Sequence, residues 1–250
     1  MRVVFDMDGT LCFNGYSIDS VIVRVLEQLK KSGHELIFAS ARPIRDLLPV
    51  VEKIDYDALI GGNGSIISKN GQIQVTRSIK KESYHRILEL IQRYQLAYIV
   101  DDEWDYFVNV STEHPIYQQL DPNNLAKNVL ITQIVQPIKI ILLSIPPQTY
   151  QQIYQELQTD RTLSLITHMH EGNLDITAQG INKFTTLQTH FSQIEYSAFG
   201  NDSNDVELLV NAKQSYFIGS KQMAHQLHIT ESQILPKDSQ QIATAIEKLC

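Results

Sequence analysis

Apolar positions along the chain follow two alternating rhythms. The opening run Arg2-Val3-Val4-Phe5 is β-branched and aromatic and stops at Asp6-Met7-Asp8-Gly9-Thr10, which predicts a buried central strand ending at a loop. Between residues 17 and 31 the apolar side chains stand at Ile18, Val21, Ile22, Val25, Leu26 and Leu29, the spacing of one helix face, and Gly33 supplies a stop. Residues 34–39 predict a second strand, and Pro43 is placed to open the next helix. Residues 57–60 predict a third strand before Gly61-Gly62-Asn63-Gly64, and Asn70-Gly71 between two short strand-like runs signals a hairpin. Strands alternating with helices imply a parallel sheet with right-handed crossovers.

The rhythm changes over residues 78–161, with a helix at 80–94, strands at 97–100 and 106–110, a polar stretch, a strand at 138–145 and a helix at 148–157. That block predicts a second, α+β domain. Strands at 163–167 and 174–176 and a helix at 181–190 come next. The alternation then resumes through 196–199, 205–210 and 216–218, closing with a helix at 239–249. The expected architecture is α/β: a Rossmann-like parallel-sheet core domain from residues 1–77 and 162–250, interrupted by an inserted α+β domain over 78–161. No internal repeat is evident, and the glutamines between 146 and 158 read as a solvated helix face.

Composition narrows the partners. Hydrophobic residues make up 43% of the 250 and charged residues 20%, as in a packed globular protein. The formal charge of -7 gives no broad positive field, so neither a nucleic acid nor an anionic membrane is expected as a partner. No stretch approaches the roughly 20 apolar residues of a membrane span. The N-terminal run meets Asp6 before a signal-peptide core forms, so the chain reads as cytoplasmic. Cys12 and Cys250, one near each end, are expected as free thiols. Cys12 has no adjacent basic residue to activate it.

In an open parallel sheet, ligands sit beyond the carboxyl ends of the strands, so those ends are compared together. The first strand ends in Asp6-Met7-Asp8 and the second in Ser40. A later helix begins near Lys183, and the strand at 196–199 runs into Gly200-Asn201-Asp202-Ser203-Asn204-Asp205. DMDGTL at residues 6–11 resembles the first motif of the haloacid dehalogenase superfamily. Ser40 in FASARP is similar to its second motif, Lys183 in GINKF to its third and GNDSND at 200–205 to its fourth, all in family order. The long insertion between Ser40 and Lys183 resembles the Cof-like hydrolases, whose α/β cap enters between the second and third motifs. Asn63-Gly64-Ser65 looks like the NGA segment common in that group. The resemblance implies dephosphorylation of small phosphate esters, often sugar phosphates or phosphorylated cofactors, so the expected partner is a small phosphorylated metabolite.

Phosphoryl transfer needs an in-line nucleophile, a counter-charge for the equatorial oxygens and a proton for the leaving oxygen. Asp6 is the expected nucleophile, forming an aspartyl-phosphate, and Asp8 the acid for the departing alcohol and base for the attacking water. Of two such close carboxylates, the one farther from the metal is expected to hold the proton. Ser40 and Lys183 are expected on the phosphoryl oxygens. Gly9, Thr10, Ala41, Asn63 and again Lys183 are expected at the substrate. The implied cofactor is Mg²⁺, held by Asp6, the main chain of Asp8 and the fourth motif. There the sequence departs from the family by carrying Asn201 where Asp is usual, and Phe184 replaces a common Gly in the third motif. Asn201 is the expected ligand, with Asp205 behind it and Asp202 as the alternative.

Each residue also has an ordinary reading: Asp8-Gly9 as a turn, Ser40, Asp202 or Ser203 as helix caps. His168 and His170 with Glu171 mimic a metal pair but lack a third ligand, and His225 and His228 fit a surface near a helix end. The acidic run 101–105 reads as a solvated loop or a substrate contact, and Arg42 and Arg45 as phosphate contacts or helix decoration. The rival activities are a phosphomutase, a phospho-acceptor regulatory module and a ligand-binding protein with a decayed site.

Overall fold

A computed structural model describes residues 1–168, 171–192, 195–229 and 232–250. In chain order the elements are β1 (Arg2–Asp6), α1 (Ser20–Lys31), β2 (Glu35–Ala39), α2 (Ile44–Val51), β3 (Ala58–Gly61), β4 (Ile66–Lys69) and β5 (Gln72–Val75). Then come α3 (Lys81–Tyr94), β6 (Ala97–Asp101), β7 (Tyr106–Val108), β8 (Lys139–Leu143), α4 (Pro147–Gln158), β9 (Leu163–His168) and β10 (Asn173–Ala178). The chain closes with α5 (Lys183–His190), β11 (Tyr196–Gly200), α6 (Val206–Val210), β12 (Gln214–Ile218), α7 (Lys221–Gln226), β13 (Gln233–Leu235) and α8 (Ser239–Glu247). Contacts divide it into two compact units, Met1–Ile73 with Asn182–Cys250, and Gln74–Ile181.

The first unit is built on a sheet of order β13-β12-β11-β1-β2-β3-β4-β5, parallel from β13 to β3, with β4 antiparallel to β3. Successive side chains point to opposite faces of a strand. On one face Phe5 stacks on Phe199 at 4.9 Å between ring centroids, and Phe199 on Tyr216 at 4.3 Å. On the other, Val4, Ile37, Ala198 and Phe217 pack with Leu187 of α5 and with Leu208 and Leu209 of α6. Helix α1 begins at Ser20, later than its apolar period suggests, because the Asp19 side chain accepts the Val21 N–H at 3.1 Å and caps it there. Its buried Ile22, Val25, Leu26 and Leu29 form the predicted stripe, and it packs against α8. The α/β parallel-sheet core and the second, antiparallel sheet agree with the expected fold class.

The second unit is an antiparallel sheet of order β7-β6-β8-β10-β9. Ile87, Leu90 and Ile91 of α3 and Ile153 and Leu157 of α4 bury one face against Val100, Ile140, Leu142, Leu174 and Ile176. The opposite face carries a buried ion pair between Lys139 and Asp175, at 2.7 Å. Residues 162–181, placed in the core by the sequence reading, carry β9 and β10, and β10 pairs with β8 in this second sheet. A short apolar run reads as a strand whichever sheet receives it, so pairing moved the boundary. Among the described residues, no helix is long and apolar enough to cross a membrane.

The aromatic stack sets a test. Phe199 is fully buried in it, so Phe199→Ala should destabilise the protein by about 3–5 kcal/mol. Val210→Ala, at an exposed helix position, should change stability by less than about 0.5 kcal/mol. Equal urea midpoints for the two variants would show that the stack is not a principal support of the fold.

Candidate active site

Strand β1 sits at the centre of its sheet. The chain runs from it outward through β2 and β3, then returns on the other side at β11, so strand order reverses between β1 and β11. The crevice at such a reversal is where doubly wound sheets bind ligands. The register Phe5↔Phe199 brings the ends of these strands level, so Asp6-Met7-Asp8 faces Gly200-Asn201 across it. Asp6 also pairs with Ala39, which puts Ser40 one residue beyond the neighbouring strand end.

Lys183 comes from α5. Asn182 caps that helix, its side chain accepting the Thr185 N–H at 2.8 Å. The helix is docked by Thr186 Oγ1 donating to the Gly64 carbonyl at 2.6 Å. Gly64 has φ +102°, and a Cβ there would stand 2.3 Å from the Asn182 oxygen, so only glycine permits the approach. The buried Lys183 Nζ donates to Asp6 Oδ1 at 2.6 Å and to Asp205 Oδ1 at 2.7 Å. Thr10 Oγ1 donates to Asp6 Oδ2 at 2.7 Å. Burial, then the like charge of Asp205, push the Asp6 carboxyl up to about 7, against the opposing pull of Lys183. Asp205 and Asp6 hold the Lys183 ammonium firmly protonated despite its burial.

The sequence reading gave the proton to the carboxylate farther from the metal, Asp8. The structure shows a raised carboxyl at Asp6, from burial first and then from the like charge of Asp205. Asp8 is partly exposed, and its two oxygens accept from Arg42 Nε at 2.7 Å and Arg42 Nη2 at 2.5 Å, while Nη2 also donates to the Gly15 carbonyl at 2.9 Å. This bidentate clamp was not read from the sequence, where Arg42 is one arginine of two beside Pro43 and nothing in the spacing distinguishes it.

The residues implied for Mg²⁺ pass a test of fit. One terminal atom of the Asn201 amide lies 2.9 Å from Asp6 Oδ2, 3.0 Å from the Asp8 carbonyl oxygen and 3.0 Å from Thr10 Oγ1. Turned so that this atom is nitrogen, the amide donates to all three and the chain satisfies itself alone. Turned so that it is oxygen, it accepts from Thr10 and faces two further oxygens. Their spacing is the one that an octahedral shell with bonds of about 2.1 Å sets between adjacent ligands, about 3.0 Å. Gly9, at φ +79°, makes room for this amide: a Cβ there would lie 2.5 Å from Asn201 Nδ2. Asp205 Oδ2 accepts the Asn201 N–H at 2.9 Å and the Asp202 N–H at 3.2 Å, and so shapes the loop from behind. The Asp202 carboxylate caps Ser203 N–H at 2.6 Å. Among the described residues no three His, Cys, Asp or Glu side chains form a metal cluster.

Ser40 is buried, and its hydroxyl accepts the Arg42 N–H at 3.1 Å. Its carbonyl accepts the Asn63 N–H at 3.0 Å, and Ala41 follows, half-buried. Asn63 adopts φ +55°, and its Oδ1 accepts from Asn204 at 2.9 Å, a link between loops that the sequence did not announce. Its Nδ2 is buried without a partner, an unspent donor.

Other expectations resolve plainly. Cys12 is buried, and burial and Asp8 push its thiol up, away from a nucleophile. His168 Nε2 stands 3.8 Å from Asp175 Oδ2, beside the Lys139–Asp175 ion pair, and His170 lies outside the described residues. Asp101 is buried, while Asp102 and Asp105 hold the Val135 and Lys127 N–H groups at 3.0 Å each. His225 and His228 are exposed.

The model of the haloacid dehalogenase-like hydrolases matches residues 3–240. An HMP-PP phosphatase of Klebsiella pneumoniae (strain 342) is 24% identical over 240 residues, covering 86% of this chain and 83% of that protein. A haloacid dehalogenase-like hydrolase from Bacteroides thetaiotaomicron superposes with TM-score 0.83 at 18% identity, over 100% of this chain and 99% of the other. A sugar phosphatase of subclass IIB in the same superfamily gives 0.79 at 17% identity, over 99% and 98% of the two chains. These structural likenesses speak to the fold, and the family match spans nearly the whole sequence: the chain belongs to the haloacid dehalogenase-like hydrolases.

Proposed function

We propose that this hydrolase is a Mg²⁺-dependent phosphatase that removes the phosphoryl group from small phosphate monoesters through an aspartyl-phosphate on Asp6. The observation that carries the reading is the division of the Asp6 carboxylate. Oδ2 is turned to Thr10 and to the Asn201 amide, whose same terminal atom also meets the Asp8 carbonyl, and Oδ1 is turned to the Lys183 ammonium. One oxygen is thus committed to a cation's ligand set, and the other is left to attack phosphorus beside a fixed positive charge. The phosphatase relative supports a small phosphorylated metabolite as the substrate.

Asp6, the Asp8 carbonyl and Asn201 would hold Mg²⁺, which supplies positive charge to the phosphoryl oxygens and offsets the negative charge of the carboxylates. In the first half-reaction Asp6 Oδ1 forms a bond to phosphorus, the ester P–O bond breaks, and the leaving oxygen takes a proton from Asp8. In the second, Asp8 takes a proton from water as the water oxygen bonds to phosphorus and the bond to Asp6 breaks, releasing inorganic phosphate. The Arg42 clamp holds the Asp8 side chain in one orientation through both of its oxygens. Lys183 and the Ser40 hydroxyl bear on the equatorial oxygens, with the Asn63 amide as a further donor. The second unit, inserted in the chain between Asn63 and Lys183, takes the role of the family's cap and selects the leaving group.

Three outcomes test this. With Mg²⁺ and a panel of phosphorylated metabolites the protein should release inorganic phosphate, and Asp6→Asn should reduce turnover by at least about 10³-fold. Comparable turnover by both would sink the mechanism, and steady isomerisation without phosphate release would indicate a mutase. Because Mg²⁺ must displace a proton that Asp6 holds up to about pH 7, its affinity should fall roughly tenfold per unit below that pH and level off above it. Titration calorimetry showing the same affinity at about pH 6 and about pH 8 would contradict the assignment. Asn201→Asp adds a charged oxygen to the shell and should tighten Mg²⁺ binding by about tenfold or more, read by the same titration. An unchanged or weaker affinity would remove residue 201 from the ligand set.

A further inference from the structure

The second unit contains a cleft of about 560 Å³ that the phosphatase reading does not use. It is formed by the segment that follows β5, by the turn between α4 and β9, and by the end of β10. Its size is within the range of small-ligand sites. Three of its lining residues are Arg77, Lys80 and Arg161, and no Asp or Glu is among the described residues that line it. The nearest acids are Glu82, Asp160 and Asp102: Asp160 is engaged by Ser83 and Thr162 at 2.7 Å each and by Arg86 at 3.7 Å, and Asp102 accepts the N–H groups of Val135 at 3.0 Å and of the lining residue Gln136 at 3.4 Å.

The three cations are exposed, and three further features give the cleft the character of a ligand site. Arg77 is held in place, its Nη1 donating to the Gln179 carbonyl at 2.9 Å, so part of the entropy of ordering that guanidinium is already spent. The Thr76 hydroxyl, also in the lining, is buried without a hydrogen-bond partner. A buried unpartnered hydroxyl costs free energy that a ligand oxygen recovers. Lys80 also stands at the N-terminus of the 14-residue α3 and places no side-chain cap on its first turn, which adds positive potential from the helix end.

We infer that this cleft binds a phosphate-bearing anion of at least two negative charges, a small phosphate ester or diphosphate, through Arg77, Lys80, Arg161 and the Thr76 hydroxyl. Three cations without a carboxylate to neutralise them match a multiply charged anion better than a single carboxylate, and guanidinium forks suit phosphate oxygens. Residues 75–80 and 178–179 lie where the chain enters and leaves the second unit, and the Arg77–Gln179 hydrogen bond already joins the two passes. An anion held there would reinforce that join.

The test uses the full chain, free of divalent metal, titrated with pyrophosphate at constant ionic strength while backbone amide resonances are followed by NMR. Signals from residues 76–82, 161–162 and 179 should shift saturably with one dissociation constant. In the double variant Arg77→Gln, Arg161→Gln that constant should weaken by at least about tenfold. Signals from residues 6–10 report pyrophosphate at Asp6 separately, and they should respond alike in wild type and variant, which also shows that the variant is folded. No saturable shift of the cleft signals in the wild type, or the same constant in the variant, would overturn the proposal. Either result leaves the Asp6 reading untouched, because that site has its own signals.

Discussion

The active end of the first unit depends on one buried cation. Lys183 brings its ammonium between Asp6 and Asp205, and by doing so ties the end of β1, the start of α5 and the loop after β11 to one point. Burying three charges is costly, and an ion triad is seldom the most stable filling for such a volume. With both carboxylates ionised the triad carries one more negative charge than positive, and burial first, then the like charge of Asp205, push the Asp6 carboxyl up to about 7. A surplus of negative potential, with oxygens spaced as in an octahedral shell, suits a divalent cation, which with the lysine would make that negative charge tolerable.

As a Mg²⁺ ligand, the role proposed for it, Asn201 would change the charge balance of the site. An amide oxygen ligates without adding charge, so the negative field must come from its neighbours. Asp205 is placed to supply it: fully buried, it bonds Lys183 with one oxygen and the loop amides with the other. Arg42 does the corresponding work for Asp8, which is why the two carboxylates, two residues apart, have different environments. The difference comes from their partners, Lys183 and Thr10 for Asp6 and Arg42 for Asp8.

The second unit follows different rules. Its sheet is antiparallel and covered by helices on one face, so its strands alternate, and charged residues such as Lys139 and Asp175 occupy the face opposite α3 and α4. Low identity to relatives is compatible with this arrangement, since the sheet requires only a pattern, while the residues that meet a particular metabolite are free to differ.

Much of this was written in the sequence. A continuous β-branched and aromatic run marked β1, a 3.6-residue period marked α1, an apolar run marked β2 and Asn70-Gly71 marked the hairpin of β4 and β5, and the motif residues Asp6, Ser40, Lys183 and Asn201 pointed to the strand ends. Local pattern reports which residues are buried and with what period, and a motif reports residue type at a position. Neither reports a partner. Whether 163–178 joined one sheet or the other, whether Asp8 faced Arg42, and whether Asp205 or Asp8 would repel the Asp6 carboxylate were settled only by pairing across 34, 199 and more residues of chain, because long-range hydrogen bonds and charges act through space and leave no periodic trace along the sequence.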